Sequence, residues 1–169
     1  MKVGIYAGSF DPVTQGHLWV IQQGSQLFDE LRVVIGYHPR KTFQYSERQR
    51  LQFLNKVCAD IPNVVVDRFG EYHSVLRYAY NFTEHAYLLR GIRDEKDFRY
   101  EAEILGQLEE DADFIGIHLH QVYVIPPADL RNISSTQVRQ AVDPHILRQL
   151  VPPQIVDDVI VNNLNIKGK

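Results

Sequence analysis

Three short stretches of this chain carry residue types and spacings suited to handling phosphate. The first is the ten residues GSFDPVTQGH from Gly8 to His17, directly after the apolar run Val3 to Ala7. A strand ending in a glycine turn, with Thr14-x-Gly16-His17 opening a helix, aims backbone N–H groups and one imidazole at a point beyond the strand. Glycine lets the backbone approach closely and a helix start attracts anions, so that point suits a phosphate. The second stretch, Arg90-Gly91-Ile92-Arg93, sets a guanidinium on either side of a glycine. Arginine forks match phosphate oxygens in bidentate geometry. The third, Ile133-Ser134-Ser135-Thr136 followed by Val138 and Arg139, puts three consecutive hydroxyls at a helix start. Each stretch also has a plainer reading. Thr14 and Ser134 or Ser135 suit helix caps, and the arginines have Asp94, Asp97 and Glu101 nearby as surface partners.

The surrounding elements decide where these stretches end up. Lys2 to Ala7 reads as a first strand and Gly16 to Asp29 as the helix after it. Leu31 to Tyr37 and Asn63 to Arg68 are further β-branched runs. Between them Ser46 and Gln49 have capping-box spacing, and Leu51, Leu54, Val57 and Cys58 form an apolar stripe at helical period. A second crossover at 73–82 leads to a strand at Ala86 to Leu89. A polar helix then runs from Asp94 to about Glu109, with Phe98, Ile104, Leu105 and Leu108 for packing. Glu109 to Gly116 reads as an acidic surface loop and Val122 to Ile125 as a fifth strand. From Ser134 to Leu164 the pattern is helical, broken at Asp143-Pro144 and Pro152-Pro153.

This alternation predicts an α/β fold: a Rossmann-like five-stranded parallel sheet with helices on both faces, in a single domain over 1–164. Residues 165–169 read as a disordered tail. Ligands of open parallel sheets bind beyond the carboxyl ends of the strands, where the strand order switches. The three stretches follow strands one, four and five, so the fold should bring them to one crevice.

Composition narrows the partners. The 169 residues are 44% hydrophobic and 23% charged, ordinary for one globular domain, and the net charge of -3 offers no basic field for nucleic acid. There is no apolar run of the ~20 residues a membrane span needs, and the N-terminus reads as a strand rather than a leader, so a cytoplasmic protein with no membrane partner is expected. Cys58, the sole cysteine, sits on an apolar helical stripe and suits packing. His118-x-His120 would place two rings on one strand face, either solvated or available to a metal. His38, His73, His85 and His145 show no ligand spacing.

The Gly8–His17 stretch resembles the T/HxGH signature of the nucleotidylyltransferase superfamily, and Ile133 to Arg139 resembles its ISSTxxR element. The run from Arg90 to Glu101, RGIRDEKDFRYE, is similar to the RGxRxxxDFxYE pattern of the phosphopantetheine adenylyltransferase branch. The Phe43-x-x-x-Glu47-Arg48 segment and Leu150-Val-Pro-Pro153 extend the likeness over nearly the whole chain.

The resemblance implies adenylyl transfer from ATP to 4′-phosphopantetheine, giving dephospho-coenzyme A and pyrophosphate. It implies His17 as the catalytic donor to the α-phosphate. It implies ATP contacts from Ser9, Phe10, His17, Gly91, Ile92, Arg93, Glu101, Asn132, Ile133, Ser134, Ser135 and Thr136. Acceptor contacts would come from Ser9, Lys41, Val75 and Arg90, with Arg40 the alternative to Lys41. Mg²⁺ would arrive with ATP rather than in a protein-built metal site, and the chain would form a homo-oligomer, by family analogy a hexamer. The loop HPRKTF at 38–43 is shorter than the family's, Glu71 to Val75 is bulkier than the usual pantetheine contact, and DLRN at 129–132 replaces an aromatic-Ser-Phe. These departures leave two alternatives: another adenylyltransferase, such as one acting on nicotinate or nicotinamide mononucleotide, or a nucleotide-binding regulator without turnover.

Overall fold

A computed structural model describes residues 1–36, 41–70, 74–81 and 85–167. Tyr37, His38, Arg40, residues 71–73, Phe82 and the side chains of Ile104 and Leu105, all used above, lie outside the described residues. Five parallel strands, β1 (Val3–Gly8), β2 (Glu30–Ile35), β3 (Val64–Arg68), β4 (His85–Gly91) and β5 (His118–Val124), form one sheet in the order β3-β2-β1-β4-β5. The chain winds outward from β1 in one direction and returns to start again at β4. The switch point therefore lies between β1 and β4.

Helices cover both faces, as the near-continuous apolar strands require. On one face α1 (Gln15–Leu27) and α2 (Glu47–Cys58) pack Val20, Ile21, Phe53, Leu54 and Val57 against Val33, Ile35 and Leu89. The C-terminal helices α6 (Ser135–Gln140), α7 (Pro144–Leu150) and α8 (Val156–Lys167) extend this core through Val138, Leu147 and Val159. On the other face α3 (Val75–Tyr80) and α4 (Glu95–Ile115) pack Leu76, Tyr78, Ala79 and Ala112 against Ile5, Val34 and Leu88. A short α5 (Ala128–Arg131) links β5 to α6. Cys58 is buried on α2, and burial pushes its thiol up to about 11, so it packs as an apolar group.

Three spans differ from the sequence reading. The expected acidic loop at Glu109 to Gly116 is the last two turns of α4, which stops only at Gly116 with φ +76. Ala112 is buried there and Ile115 packs on the core, while Asp111 and Phe114 face solvent; one inward stripe holds the segment helical despite its charge. β5 begins at His118 rather than Val122, because all seven of its residues pair in register with β4 from His85↔His118 to Gly91↔Val124. The span expected as a tail, 165–169, overlaps α8, which runs through Lys167.

Candidate active site

A crevice of about 700 Å³ opens beyond the carboxyl ends of β1 and β4, within the range of small-molecule sites. All three phosphate-type stretches meet there. Ser9 and His17 line it from the first, Arg90, Gly91 and Arg93 from the second, and Ile133, Ser134, Ser135 and Thr136 from the third. Lys41 and Glu101 also line it.

His17 owes its chemistry to the way α1 begins. Thr14 is the N-cap, and the third helical residue, which in a capping box is usually Glu or Gln, is His17. The His17 amide donates to Thr14 Oγ1 at 3.4 Å, and the Thr14 amide donates to His17 Nδ1 at 3.0 Å. A nitrogen that accepts from an amide carries no proton, so the hydrogen of the neutral ring sits on Nε2. Burial first, then the positive charges of Arg93 and Lys41, lower the imidazole pKa to about 4. At neutral pH His17 is an uncharged Nε2–H donor. Phe10 holds its ring edge-on at 5.2 Å between centroids, and Tyr6 lies 6.4 Å away.

Two groups of cations flank this donor. Lys41 Nζ donates to Ser9 Oγ at 2.9 Å, which joins the loop after β2 to the loop after β1. Arg40 lies outside the described residues. Arg90 Nη1 donates to the Ala7 carbonyl at 3.3 Å, and its Nε forms a salt bridge with Glu101 at 3.1 Å without hydrogen-bond alignment. Arg93 grips Asp97 with two parallel bonds, Nε to Oδ2 at 2.7 Å and Nη2 to Oδ1 at 3.0 Å. That contact holds the Asp97 carboxyl below its usual range. The plainer reading of Arg93 is thus partly right: it does pair with Asp97, and the pair itself lines the crevice.

Other expected contacts take different places. The Phe10 ring is buried behind the crevice wall, its backbone at φ +44, so it supports His17 rather than bordering the cavity. Ile92 is buried and its amide binds the Val124 carbonyl. Val75 sits on α3 against the second core, away from the crevice lining, and exposed Asn132 ends α5. Gly91 lines the crevice, and a side chain there would meet Val20 Cγ2 at 2.8 Å, so its smallness serves the approach of α1. Ser135 spends its hydroxyl on the Pro12 carbonyl, 2.8 Å away, tying the third stretch to the first.

Sequence reasoning missed Arg139 as a lining residue and Asp11 as a buried clip. Arg139 Nη1 donates to the Asp11 carbonyl at 2.7 Å, while the Asp11 carboxylate accepts from the Gln44 and Tyr45 amides at 3.0 and 2.9 Å. The signal was present in FDP and ISSTQVR, but nothing local says that residues 11, 44 and 139 are neighbours. His118 and His120 both stack with His85, at 4.9 and 6.0 Å between centroids, and Tyr87 stacks on His120 at 4.7 Å. Among the described residues no group of three or more His, Cys, Asp or Glu is arranged to hold a metal ion, and no helix is long and apolar enough to cross a membrane.

A parallel sheet with this strand order, carrying a neutral imidazole donor among the cationic side chains of Lys41, Arg90 and Arg93 at its switch point, has the architecture of a Rossmann-like nucleotidylyltransferase. Residues 5–141 match the family model described as cytidylyltransferase-like. The chain is 34% identical to a phosphopantetheine adenylyltransferase of Chromobacterium violaceum, across 92% of this chain and 93% of that protein. It is 32% identical to the Neisseria meningitidis phosphopantetheine adenylyltransferase, across 94% and 92%. A solved nicotinic acid mononucleotide adenylyltransferase of Plasmodium falciparum, in complex with NaAD, superposes with a TM-score of 0.67 over 96% of both chains; its 17% identity speaks to the fold alone. The chain belongs to the cytidylyltransferase-like family, in the branch of the phosphopantetheine adenylyltransferases.

Proposed function

We propose that the protein transfers the adenylyl group of ATP to 4′-phosphopantetheine, releasing pyrophosphate and forming dephospho-coenzyme A. A phosphate oxygen of the acceptor attacks the α-phosphorus in line; the bond to the β-phosphate oxygen breaks and pyrophosphate leaves with its electron pair. The acceptor monoester, with a second pKa near ~6, is already mostly dianionic at neutral pH, so no general base is required. The barrier lies in bringing two polyanions together and in stabilising charge on the moving phosphoryl group, a task for positioning and fixed dipoles.

The observation that carries this reading is His17: a neutral ring, its tautomer set by Thr14, presenting Nε2–H among Lys41, Arg90 and Arg93. That is the equipment of a hydrogen-bond donor to the α-phosphate and a poor one for a base. Ser9, Lys41 and Arg90 are assigned to the acceptor phosphate. Arg93, Ser134, Thr136 and Arg139 are assigned to the triphosphate, and Gly91 and Ile133 to the nucleotide's flank. The carboxylates in the crevice wall, Asp97 and Glu101, are engaged by Arg93 and Arg90. Mg²⁺ would therefore be held chiefly by phosphate oxygens, arriving with ATP and screening their charge.

The relatives at 30–34% identity favour phosphopantetheine over a mononucleotide as acceptor. Single-turnover mixing with ATP and 4′-phosphopantetheine, resolved by chromatography, should yield dephospho-coenzyme A and pyrophosphate one for one. Binding of both substrates with neither product formed would instead support a regulator. A cytoplasmic location and assembly of several copies are the family-based expectations for the protein.

A further inference from the structure

Arg50 is the most buried cationic side chain among the described residues outside the crevice lining. Only 4% of the residue is exposed, and burial lowers its pKa from the usual arginine value while leaving it charged. It sits one turn into α2, yet it reaches back to the loop after β1. Its Nη1 donates to the Ser9 carbonyl at 2.7 Å and its Nε to the Tyr45 carbonyl at 3.1 Å. The guanidinium lies 4.1 Å from the centroid of the Phe43 ring, a stacking distance for a cation over an aromatic face.

These contacts span the segment that carries Lys41. The loop from Lys41 to Tyr45 is fastened at its far end by the Asp11 carboxylate, which accepts the Gln44 and Tyr45 amides, and in its middle by Phe43 under Arg50. The partner strand-end is fastened as tightly. Phe10 holds φ at +44, a conformation that a non-glycine residue keeps only when its surroundings over-determine it. The carbonyls around it are each taken by a side chain: Ser9 by Arg50, Asp11 by Arg139 and Pro12 by Ser135. Arg139 and Ser135 also line the crevice and have a second use there. Arg50 does not reach it, so any effect it has on the reaction passes through the groups it holds.

We propose that Arg50 is a positioning residue for the acceptor half of the site: by bridging the Ser9 and Tyr45 carbonyls over the Phe43 ring, it fixes the Ser9–Lys41 pair that receives the acceptor phosphate. The nucleotide half, built on α1, β4 and α6, takes no hydrogen bond from it. This inference rests on the acceptor assignment above, so the test includes measurements that need no acceptor.

Arg50→Met and Arg50→Lys are compared with the wild type by kcat and KM for both substrates, by ATP affinity from calorimetry, and by hydrogen exchange at Gln44 and Tyr45. A displacement of ~1 Å at a reacting group typically costs about 10²-fold. Arg50→Met should therefore lower kcat/KM for the acceptor about 10²-fold while ATP affinity stays within about twofold. Exchange at the two amides should rise about tenfold, with α1 unchanged. Arg50→Lys, able to reach one carbonyl at a time, should fall in between, and it carries the test if the Met variant does not fold. An acceptor kcat/KM within about threefold of wild type, an equal loss of ATP affinity, or unchanged amide exchange would each overturn the proposal. A wild type inactive with 4′-phosphopantetheine would count against the assigned reaction, and the exchange and ATP measurements would still decide the role of Arg50.

Discussion

Replacing His17 by alanine separates a hydrogen-bond donor from a general base. Burial and the neighbouring cations lower the imidazole pKa to about 4, so at pH 7.5 the ring is uncharged and the variant loses one neutral donor and no charge. Removing a single preorganised donor to a developing oxyanion costs about 10²–10³ in turnover, or roughly 2.7–4 kcal/mol of barrier. The same substitution strips the Thr14 amide of its acceptor, a helix-cap loss of about 1 kcal/mol, so the variant should remain folded. Pyrophosphate release is followed across pH 5 to 9 with both substrates saturating. The account predicts an acid limb near pH ~6 in the wild type, from protonation of the acceptor phosphate. The alanine variant should show the same limb at about 10²–10³ lower rate. Disappearance of the limb would identify His17 as the titrating base, and a drop of less than about fivefold would remove it from the reaction; either result refutes the reasoning.

Three further expectations concern the scaffold. The folded-state pKa of His17 lies below its unfolded value of 6.5, so the unfolded chain binds the extra proton between those limits. Stability should fall as pH drops from 6.5 towards 4, by at most about 3 kcal/mol from this residue, and His17→Ala should flatten that part of the denaturation profile. Gly91→Ala would bring a methyl to 2.8 Å from the stiff Val20 side chain, and should cost about 1–3 kcal/mol in chemical denaturation. The cost should shrink in a Val20→Ala background, and equal costs in both backgrounds would break the link between the two positions. Asn163 on α8 accepts from Tyr45 Oη and Gln44 Nε2 and donates to the Val138 and Ala141 carbonyls, all within 2.9 Å. Asn163→Ala leaves several buried groups unpaired and should destabilise by about 2–4 kcal/mol; a loss under about 1 kcal/mol would contradict that network.

What could be read from the chain alone followed the range of the interactions involved. The alternation of β-branched runs with capped amphipathic helices is local, and it led to the parallel sheet and to the crevice at the β1–β4 switch. Ser46 and Gln49 form the expected capping box. The polar stretch His118 to Gln121 hid half of an edge strand, because only its pairing with β4 makes it one. The charge of Glu109 to Gly116 suggested a loop, yet buried Ala112 and half-buried Ile115 keep it in α4. Within the site, Ser9, His17, Arg90, Arg93 and the hydroxyl cluster were legible because their types announce phosphate chemistry. The groups that hold them were not. Asp11, Arg50, Arg139 and Asn163 each bind a backbone group 22 to 128 residues away, and a polar side chain carries no local mark of which distant group it will bind. Thr14 was visible as a cap, but its second function, fixing the proton of His17 on Nε2, emerges only because the third residue of that cap is a histidine whose ring nitrogen accepts the Thr14 amide.

Adenylyl transfer to a phosphopantetheine acceptor is decided by pyrophosphate release from each of the four nucleoside triphosphates with 4′-phosphopantetheine and, separately, with nicotinate mononucleotide. The account predicts turnover with ATP and 4′-phosphopantetheine, with the other combinations far slower. Activity confined to ATP and the mononucleotide would contradict it.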